Sequence, residues 1–259
     1  MNPYFHTLKK ITIKTVLDQI VSEKLPQHIA VIMDGNGRWA KEKNKPRVFG
    51  HKNGVKAVRE VTEACAELGI SYLTLYAFSQ ENWNRPKLEV SALMSLLVET
   101  LSKEIQTLTK NNIRLEAIGD LDQLPKRTYK ALQEGIRTTK SNDRMTLVLA
   151  LNYSSRKEII QASSLIAKDL SGGLITENEL NEELFSSYLQ TKHYPDPELL
   201  IRTSGEQRIS NYLLWQIAYA ELYFSSVYWP DFRKEHLYEA IVDFQNRERR
   251  FGKISEQLA

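Results

Sequence analysis

Apolar and polar positions along this chain follow two rhythms in turn. Short runs rich in β-branched and aromatic residues have the length and makeup of buried strands. They are Ile29 to Met33, Ser71 to Phe78, Ile113 to Ile118, Met145 to Leu151, Leu199 to Arg202 and Leu222 to Ser225. Between them apolar residues recur at helical spacing. One stripe, Val55, Val58, Val61, Cys65 and Leu68, predicts a helix over Gly54 to Leu68, stopped by Gly69. A wider face, Val90, Leu93, Met94, Leu97, Val98, Leu101, Ile105 and Leu108, predicts a long helix from Pro86 to about Lys110. Core packing explains that face, and so would a groove for an aliphatic ligand. Further helices are expected over Lys126 to Lys140, Lys157 to Asp169, Thr176 to Gln190 (with a Thr176/Glu179 capping box) and Lys234 to Arg250. Strands alternate with helices and no tight hairpin signal interrupts them. The pattern predicts an α/β fold: a mainly parallel central sheet of about six strands flanked by helices, as one domain over residues 1–259.

Composition changes this picture little, but charge distribution changes it more. Lys and Arg number 35 against 32 acidic residues, yet Met1 to Lys52 holds ten of the former and four of the latter. The first 52 residues therefore carry +6 and the rest −3. A basic region suits anionic ligands, nucleic acid or an anionic lipid surface. No zinc-finger spacing, RNP-like motif or strongly basic helix supports nucleic acid. The single cysteine, Cys65, sits on an apolar helical stripe and reads as a packed core thiol in a reducing compartment. No run is long enough to span a membrane. Lys9 to Lys24 reads as an N-terminal amphipathic helix within residues 1–25, with Ile13, Val16, Leu17 and Ile20 on its apolar side. Packing on the body is the default there, and shallow contact with a lipid surface the alternative.

Candidate chemistry lies where strands end, because open parallel sheets bind ligands beyond their carboxyl edge. The first strand stops at Asp34, followed by Gly35, Asn36, Gly37, Arg38 and Trp39, then by Lys41, Lys43, Lys45, Arg47, His51 and Lys52. Glycines flanking an asparagine allow an anion-binding nest of inward N–H groups, although most such stretches are plain turns. The density of cations favours the anion site. Neither GxGxxG nor the Walker spacing matches, so a dinucleotide or a Walker-type nucleotide is not supported. A second candidate, Arg202 to Ser210, offers the forked donors of Arg202 and Arg208, the Ser210 hydroxyl and flexible Gly205. A surface salt-bridge cluster with Glu206 is its plain alternative. Ser79 to Pro86 and Asn152 to Arg156 belong to the same edge. Two phosphate-type sites, carboxylates at Asp34 and Glu221 and oily helices suggest two diphosphates with hydrocarbon tails. Mg²⁺ fits that set, since it takes few carboxylates together with phosphate oxygens.

The stretches MDGNGRWA, GHKNG, LYAFSQENWNRP, RTSGEQRISNYLLWQIAYAELYF, WPDF and NRERRFG resemble the cis-prenyltransferases, above all the bacterial undecaprenyl diphosphate synthases, from about His28 to Gly252. The resemblance implies condensation of an allylic diphosphate, farnesyl diphosphate, with successive isopentenyl diphosphates. The product would be a long polyprenyl diphosphate, precursor of the lipid carrier for cell-wall glycans. It implies that Asp34 coordinates Mg²⁺ and assists loss of the allylic diphosphate, held by Gly35, Asn36, Gly37, Arg38, Arg47 and His51 with Trp39 beside them. It implies that Arg202, Arg208 and Ser210 hold isopentenyl diphosphate and that Glu221 helps place the metal. Ser79, Asn82, Trp83 and Arg85 correspond to a mobile loop, with Asn82 relaying the proton lost from the new chain. A hydrophobic tunnel would involve Ile70, Ala77, Leu93, Ile113 and Met145. Arg250 and Gly252 would reach across a homodimer. The implied location is cytoplasmic, with peripheral contact at the inner membrane as a further option.

Bacterial relatives carry glycines where this chain has Ser154, Ser155 and Ser204. The larger side chains are expected to narrow the approach to the second diphosphate. Two other readings compete. A non-catalytic partner subunit typically lacks the loop aspartate, which is present here. A Mg²⁺-dependent phosphatase would use Asp34 without chain growth.

Overall fold

The β-branched runs do form strands, and all of them pair in parallel. The computed structural model describes residues 16–250. The strands are β1 (His28–Ile32), β2 (Tyr72–Ser79), β3 (Ile113–Ile118), β4 (Met145–Tyr153), β5 (Leu199–Arg202) and β6 (Glu221–Phe224). They lie in the order β3-β4-β2-β1-β5-β6, every neighbouring pair parallel. From β1 the chain moves to β2 on one side, and from β5 it moves to β6 on the other. The carboxyl ends of β1 and β5 are thus where the winding reverses, which is where such sheets open a crevice.

The helices are α1 (Asn36–Glu42), α2 (Arg47–Leu68), α3 (Lys87–Lys110), α4 (Lys126–Thr139), α5 (Ser155–Ser171), α6 (Glu182–Ser187) and α7 (Lys234–Gln245). Alternate strand residues serve two cores. Ile29, Val31, Leu73, Leu75, Leu147, Leu149, Leu199 and Ile201 face one, with Cys65, Leu101 and Ile241. Ala30, Ile32, Val148, Ala150 and Leu200 face the other, with Tyr153, Tyr212 and Leu213. Cys65 is fully buried, as its stripe predicts.

Three predicted helices differ. The one expected from Gly54 starts at Arg47 instead, taking GHKNG into α2. Gly50 and Gly54 are kept there by close approach: a Cβ on Gly50 would sit 1.9 Å from the Asn36 carbonyl oxygen. A Cβ on Gly54 would sit 2.6 Å from Asn36 Oδ1. The helix expected over Thr176 to Gln190 is split. Its Thr176/Glu179 box caps only the turn Glu177–Glu179, and Asn181 then caps α6 by accepting from the Leu184 N–H at 2.8 Å. A second good N-cap inside the run outcompetes continuation. The last helix ends at Gln245 rather than Arg250, where Arg247 and Arg249 turn to Glu221 and Glu198 at the amino ends of β6 and β5.

Of the amphipathic N-terminal segment, residues before 16 lie outside the described residues. Val16 and Ile20 pack against the core, and Gln245 ties down Val21 through its N–H and carbonyl at 3.1 and 2.7 Å. No helix among the described residues is long and apolar enough to cross a membrane.

Candidate active site

Asp34 lies two residues past β1 and meets Arg202, the last residue of β5, with 2.8 Å between Oδ2 and Nη2. Thr203 locks the two strand ends together: its hydroxyl accepts from the Asp34 N–H at 2.9 Å and donates to the Asp34 carbonyl at 2.7 Å. Gly35 then turns the chain in the left-handed region, φ +99°, where a Cβ would meet Tyr228 at 2.7 Å. Its N–H donates to Asp34 Oδ1 at 2.6 Å. The expected glycine loop is therefore one residue long. Asn36, Gly37 and Arg38 are already helical, and only Gly35 of the two glycines uses positive φ.

That turn of α1 aims Arg38 back across the crevice. Its guanidinium lies 3.5 Å from Asp34, 2.9 Å from Glu206 and 3.2 Å from the Ser204 carbonyl, and it also donates to the Ser204 hydroxyl. Arg208 pairs with Glu206 as well. Arg202, 3 % exposed, donates to Ser210 Oγ at 2.7 Å and to the Arg208 carbonyl. Asp34, Arg38, Arg202, Arg208 and Ser210 thus form one cluster. Burial alone would raise the Asp34 carboxyl. The Arg202 hydrogen bond, the Gly35 N–H and the charges of Arg202 and Arg38 outweigh it and hold the group below the usual carboxylate range.

A second basic cluster sits at the start of α2 and α3. Arg47 and Arg85 each reach Glu89 Oε1 at 3.2 Å, with His51 near both. Burial, reinforced by Arg85, lowers the His51 pKa to about 4, so the imidazole is neutral at pH 7. Its Nε2 and Asn36 Oδ1 are buried polar atoms with no partner within the protein. Both residues, with Asn82 and Arg85, are among the polar residues that line a cavity of about 220 Å³ between the sheet, α2 and α3. Its walls include Val58, Leu75, Ala77, Leu93, Leu97 and Ile113. Of the residues expected along a tunnel, Ala77, Leu93 and Ile113 line this cavity. Ile70 and Met145, 1 % and 2 % exposed, belong to the packed core instead.

The segment after β2 is a short 3₁₀ turn, Gln80–Asn84, closed by a capping box between Ser79 and Asn82. Trp83 donates its indole N–H to Asn152 at 2.7 Å. Trp39 faces away from the crevice: it is 8 % exposed, stacks on Phe49 and donates its indole N–H to Asp231 at 2.7 Å. Glu221 is not brought to Asp34 within the chain. It pairs with Leu199 in register, as Ile29 does, five residues below Asp34 on β1, and is bonded to Arg247 at 2.9 Å. Arg250 pairs with Glu248 at 2.8 Å, and Gly252 lies outside the described residues.

The three serines are buried, and each spends its hydroxyl internally. Ser155 accepts from the Leu214 N–H at 2.9 Å, Ser154 from Asn211 Nδ2 at 2.8 Å, and Ser204 from Arg38. Thr203 and Glu89 join the site although the motif reading does not single them out, and Glu206 forms the expected salt bridges, with Arg38 and Arg208.

Comparison with known proteins identifies the family. Residues 32–252 match the Prenyltransf family model, described as "Putative undecaprenyl diphosphate synthase". The isoprenyl transferase of Geobacter sulfurreducens is 53 % identical over 92 % of this chain and 97 % of its own. That of Chlorobaculum tepidum is 56 % identical over 90 % and 88 %. Among solved structures, lavandulyl diphosphate synthase from Lavandula x intermedia, in complex with dimethylallyl diphosphate, superposes with a TM-score of 0.87 at 34 % identity, covering 89 % of this chain and all of that one. A probable undecaprenyl diphosphate synthase from Campylobacter jejuni gives 0.73 at 38 %, covering 88 % and 99 %. With a family match over most of its length and half-identical relatives over about nine-tenths of it, the chain belongs to the undecaprenyl diphosphate synthase family of prenyltransferases.

Proposed function

We propose that this prenyltransferase joins an allylic diphosphate, farnesyl diphosphate, to successive isopentenyl diphosphates. The observation that carries the reading is the cluster of Asp34 with Arg38, Arg202 and Arg208, next in the chain to Met33 and Asn36, which line a mostly apolar cavity. In each cycle the allylic C–O bond breaks and diphosphate leaves with the electron pair. The isopentenyl double bond attacks the allylic carbon, and a proton departs to leave a new cis double bond. Negative charge grows on the leaving diphosphate, so donors already fixed in place stabilise the transition state. Arg38, Arg47, His51 and the Gly35 turn would hold the allylic group. A neutral His51 serves there as a hydrogen-bond donor rather than a cation. Arg202, Arg208 and Ser210 would hold the second diphosphate, which competes with Glu206 for the same guanidinium N–H groups. Asn82, which lines the cavity, would relay the departing proton. The apolar walls would take the growing chain and shield the cationic carbon from water.

The donor set fits Mg²⁺. Among the described residues no group of three or more His, Cys, Asp or Glu comes together, and the carboxylates among the arginines are Asp34, on Arg202 and Arg38, and Glu206, on Arg38 and Arg208. A hard cation that keeps water and phosphate oxygens needs no more. Asp34 would hold it with the substrate's oxygens, and the ion would draw charge from the leaving diphosphate. Glu221, at the opposite edge, can serve that metal only from a neighbouring subunit. The homodimer proposed from Arg250 and Gly252 would supply it. The long-chain product suits a lipid-carrier precursor for cell-wall glycans, made at the inner face of the membrane.

Chromatography of labelled products from farnesyl and isopentenyl diphosphates with Mg²⁺ tests the reading. A ladder spaced by five carbons is expected, and inorganic phosphate without chain growth would replace it with a phosphatase. Asp34→Ala should cut turnover roughly 10²–10³-fold with a smaller change in substrate affinity. Full activity in that variant removes the metal assignment.

A further inference from the structure

We infer that Asn152 and Asn211 are positioning residues that clasp the Gln80–Asn84 turn over the diphosphate crevice, a reading that rests on the prenyl-transfer function above. Both asparagines sit in the left-handed region, φ 50° and 60°, which asparagine tolerates better than most residues. Each spends its side chain bridging the turn to the sheet edge. Asn152 is 1 % exposed at the end of β4. Its Oδ1 accepts from the Trp83 indole at 2.7 Å, while Nδ2 donates to the Asp120 carbonyl at 3.0 Å. Asn211 Nδ2 donates to Glu81 Oε1 and to Ser154 Oγ, both at 2.8 Å. Its Oδ1 accepts from the Arg156 N–H at 2.9 Å.

The two anchors grip consecutive parts of one turn, Glu81 and Trp83, on either side of Asn82. Asn82 itself closes the turn on the Ser79 N–H at 3.1 Å. Trp83 also packs edge-on against Phe78, ring centroids 5.1 Å apart. Neither asparagine is aimed at the substrate groups. Asn211, however, follows Ser210, which holds Arg202 at 2.7 Å. One backbone step therefore links the second diphosphate site to the grip on Glu81. Filling that site and closing the turn share a hinge, so loss of the clasp should weaken isopentenyl diphosphate more than the allylic substrate.

Steady-state kinetics of a double-mutant cycle test this. Asn211→Asp keeps the acceptor for Arg156 and the allowed φ, but removes the donor and sets a carboxylate against Glu81. It should raise KM for isopentenyl diphosphate about tenfold with kcat changed less than about threefold, at an unchanged melting temperature. Adding Glu81→Gln restores a donor across the pair and should bring KM back to within about threefold of wild type. Strictly multiplicative effects would overturn the Asn211 arm. Trp83→Phe and Asn152→Ala cut the same bond, so the double variant should be no worse than the more impaired single one. If Asn152→Ala fails to fold, Trp83→Phe alone decides, and an unchanged KM there overturns the Asn152 arm. A wild-type enzyme that makes no prenyl product would instead sink the functional reading itself.

Discussion

The two faces of the sheet are built from alternate residues of the same strands, yet one is packed solid and the other is hollow. On the α5 side, Tyr76 stacks on Tyr212 with ring centroids 4.3 Å apart and an interplanar angle of 9°, and Tyr153 closes the group edge-on at 6.1 Å from Tyr212. Each phenol finds an acceptor: Tyr212 the Thr74 carbonyl, Tyr153 the buried Glu158, Tyr76 the Tyr153 carbonyl. Large rings with satisfied hydroxyls leave no room for a ligand. On the α2 and α3 side the facing strand residue is Ala77, and the helices present aliphatic side chains around a cavity. Side-chain size on one strand thus decides which face can receive a hydrocarbon. The aromatic face stabilises, and the aliphatic face is left open for chemistry.

Substitutions that exchange these properties should separate the faces. The largest effect is expected from Tyr212→Ala, which empties a fully buried site and should cost about 4 kcal/mol in urea unfolding. A loss below about 1 kcal/mol would mean that the stack is not what holds that face. A somewhat smaller effect follows from His28, on the same face. Its Nδ1 donates to the Pro195 carbonyl at 2.6 Å, and Nε2 accepts from Thr74 at 2.7 Å. Burial lowers its pKa from 6.5 to about 4. The unfolded chain then binds the extra proton between those two values. Stability should be complete above pH 6.5 and decline by about 3 kcal/mol as the pH falls toward 4. Denaturant titrations at pH 7.5 and 4.5 measure this, and His28→Asn should remove this share of the difference and leave that of His51, whose pKa is lowered to the same extent. The least change in stability, within about 1 kcal/mol, is expected from Ala77→Leu, which projects into empty space. Its effect should appear in the product ladder, shortened relative to wild type. An unchanged ladder would place the growing chain elsewhere.

Much of this architecture was legible beforehand. Ile113–Ile118 and Leu199–Arg202 are strands with the bounds their composition predicts, and the wide apolar face after Pro86 is α3. The motif stretches also named the clustered residues Asp34, Arg38, Arg202, Arg208 and Ser210. Local pattern misled where a competing partner lay far away in sequence. GHKNG looks like a loop because glycine is a poor helix former, but helical backbone there lets Asn36 approach within contact of Gly50 and Gly54. Trp39 reads as a site residue because it follows Arg38, whereas Asp231 draws its indole inward. Ser204 reads as added bulk at the second site, and local pattern gives no sign that Arg38 uses both its hydroxyl and its carbonyl.

Sequence by itself determined the strands and most helices, the mainly parallel sense of the sheet and the inventory of cations, since these depend on periodicity and residue chemistry a few positions apart. Only tertiary structure decided which cations share an anion and which strand face stays hollow. It also decided that Glu221 and Asp34 stand at opposite edges of one protomer. Those outcomes depend on register between strands that are distant in the chain, a quantity that local spacing does not encode.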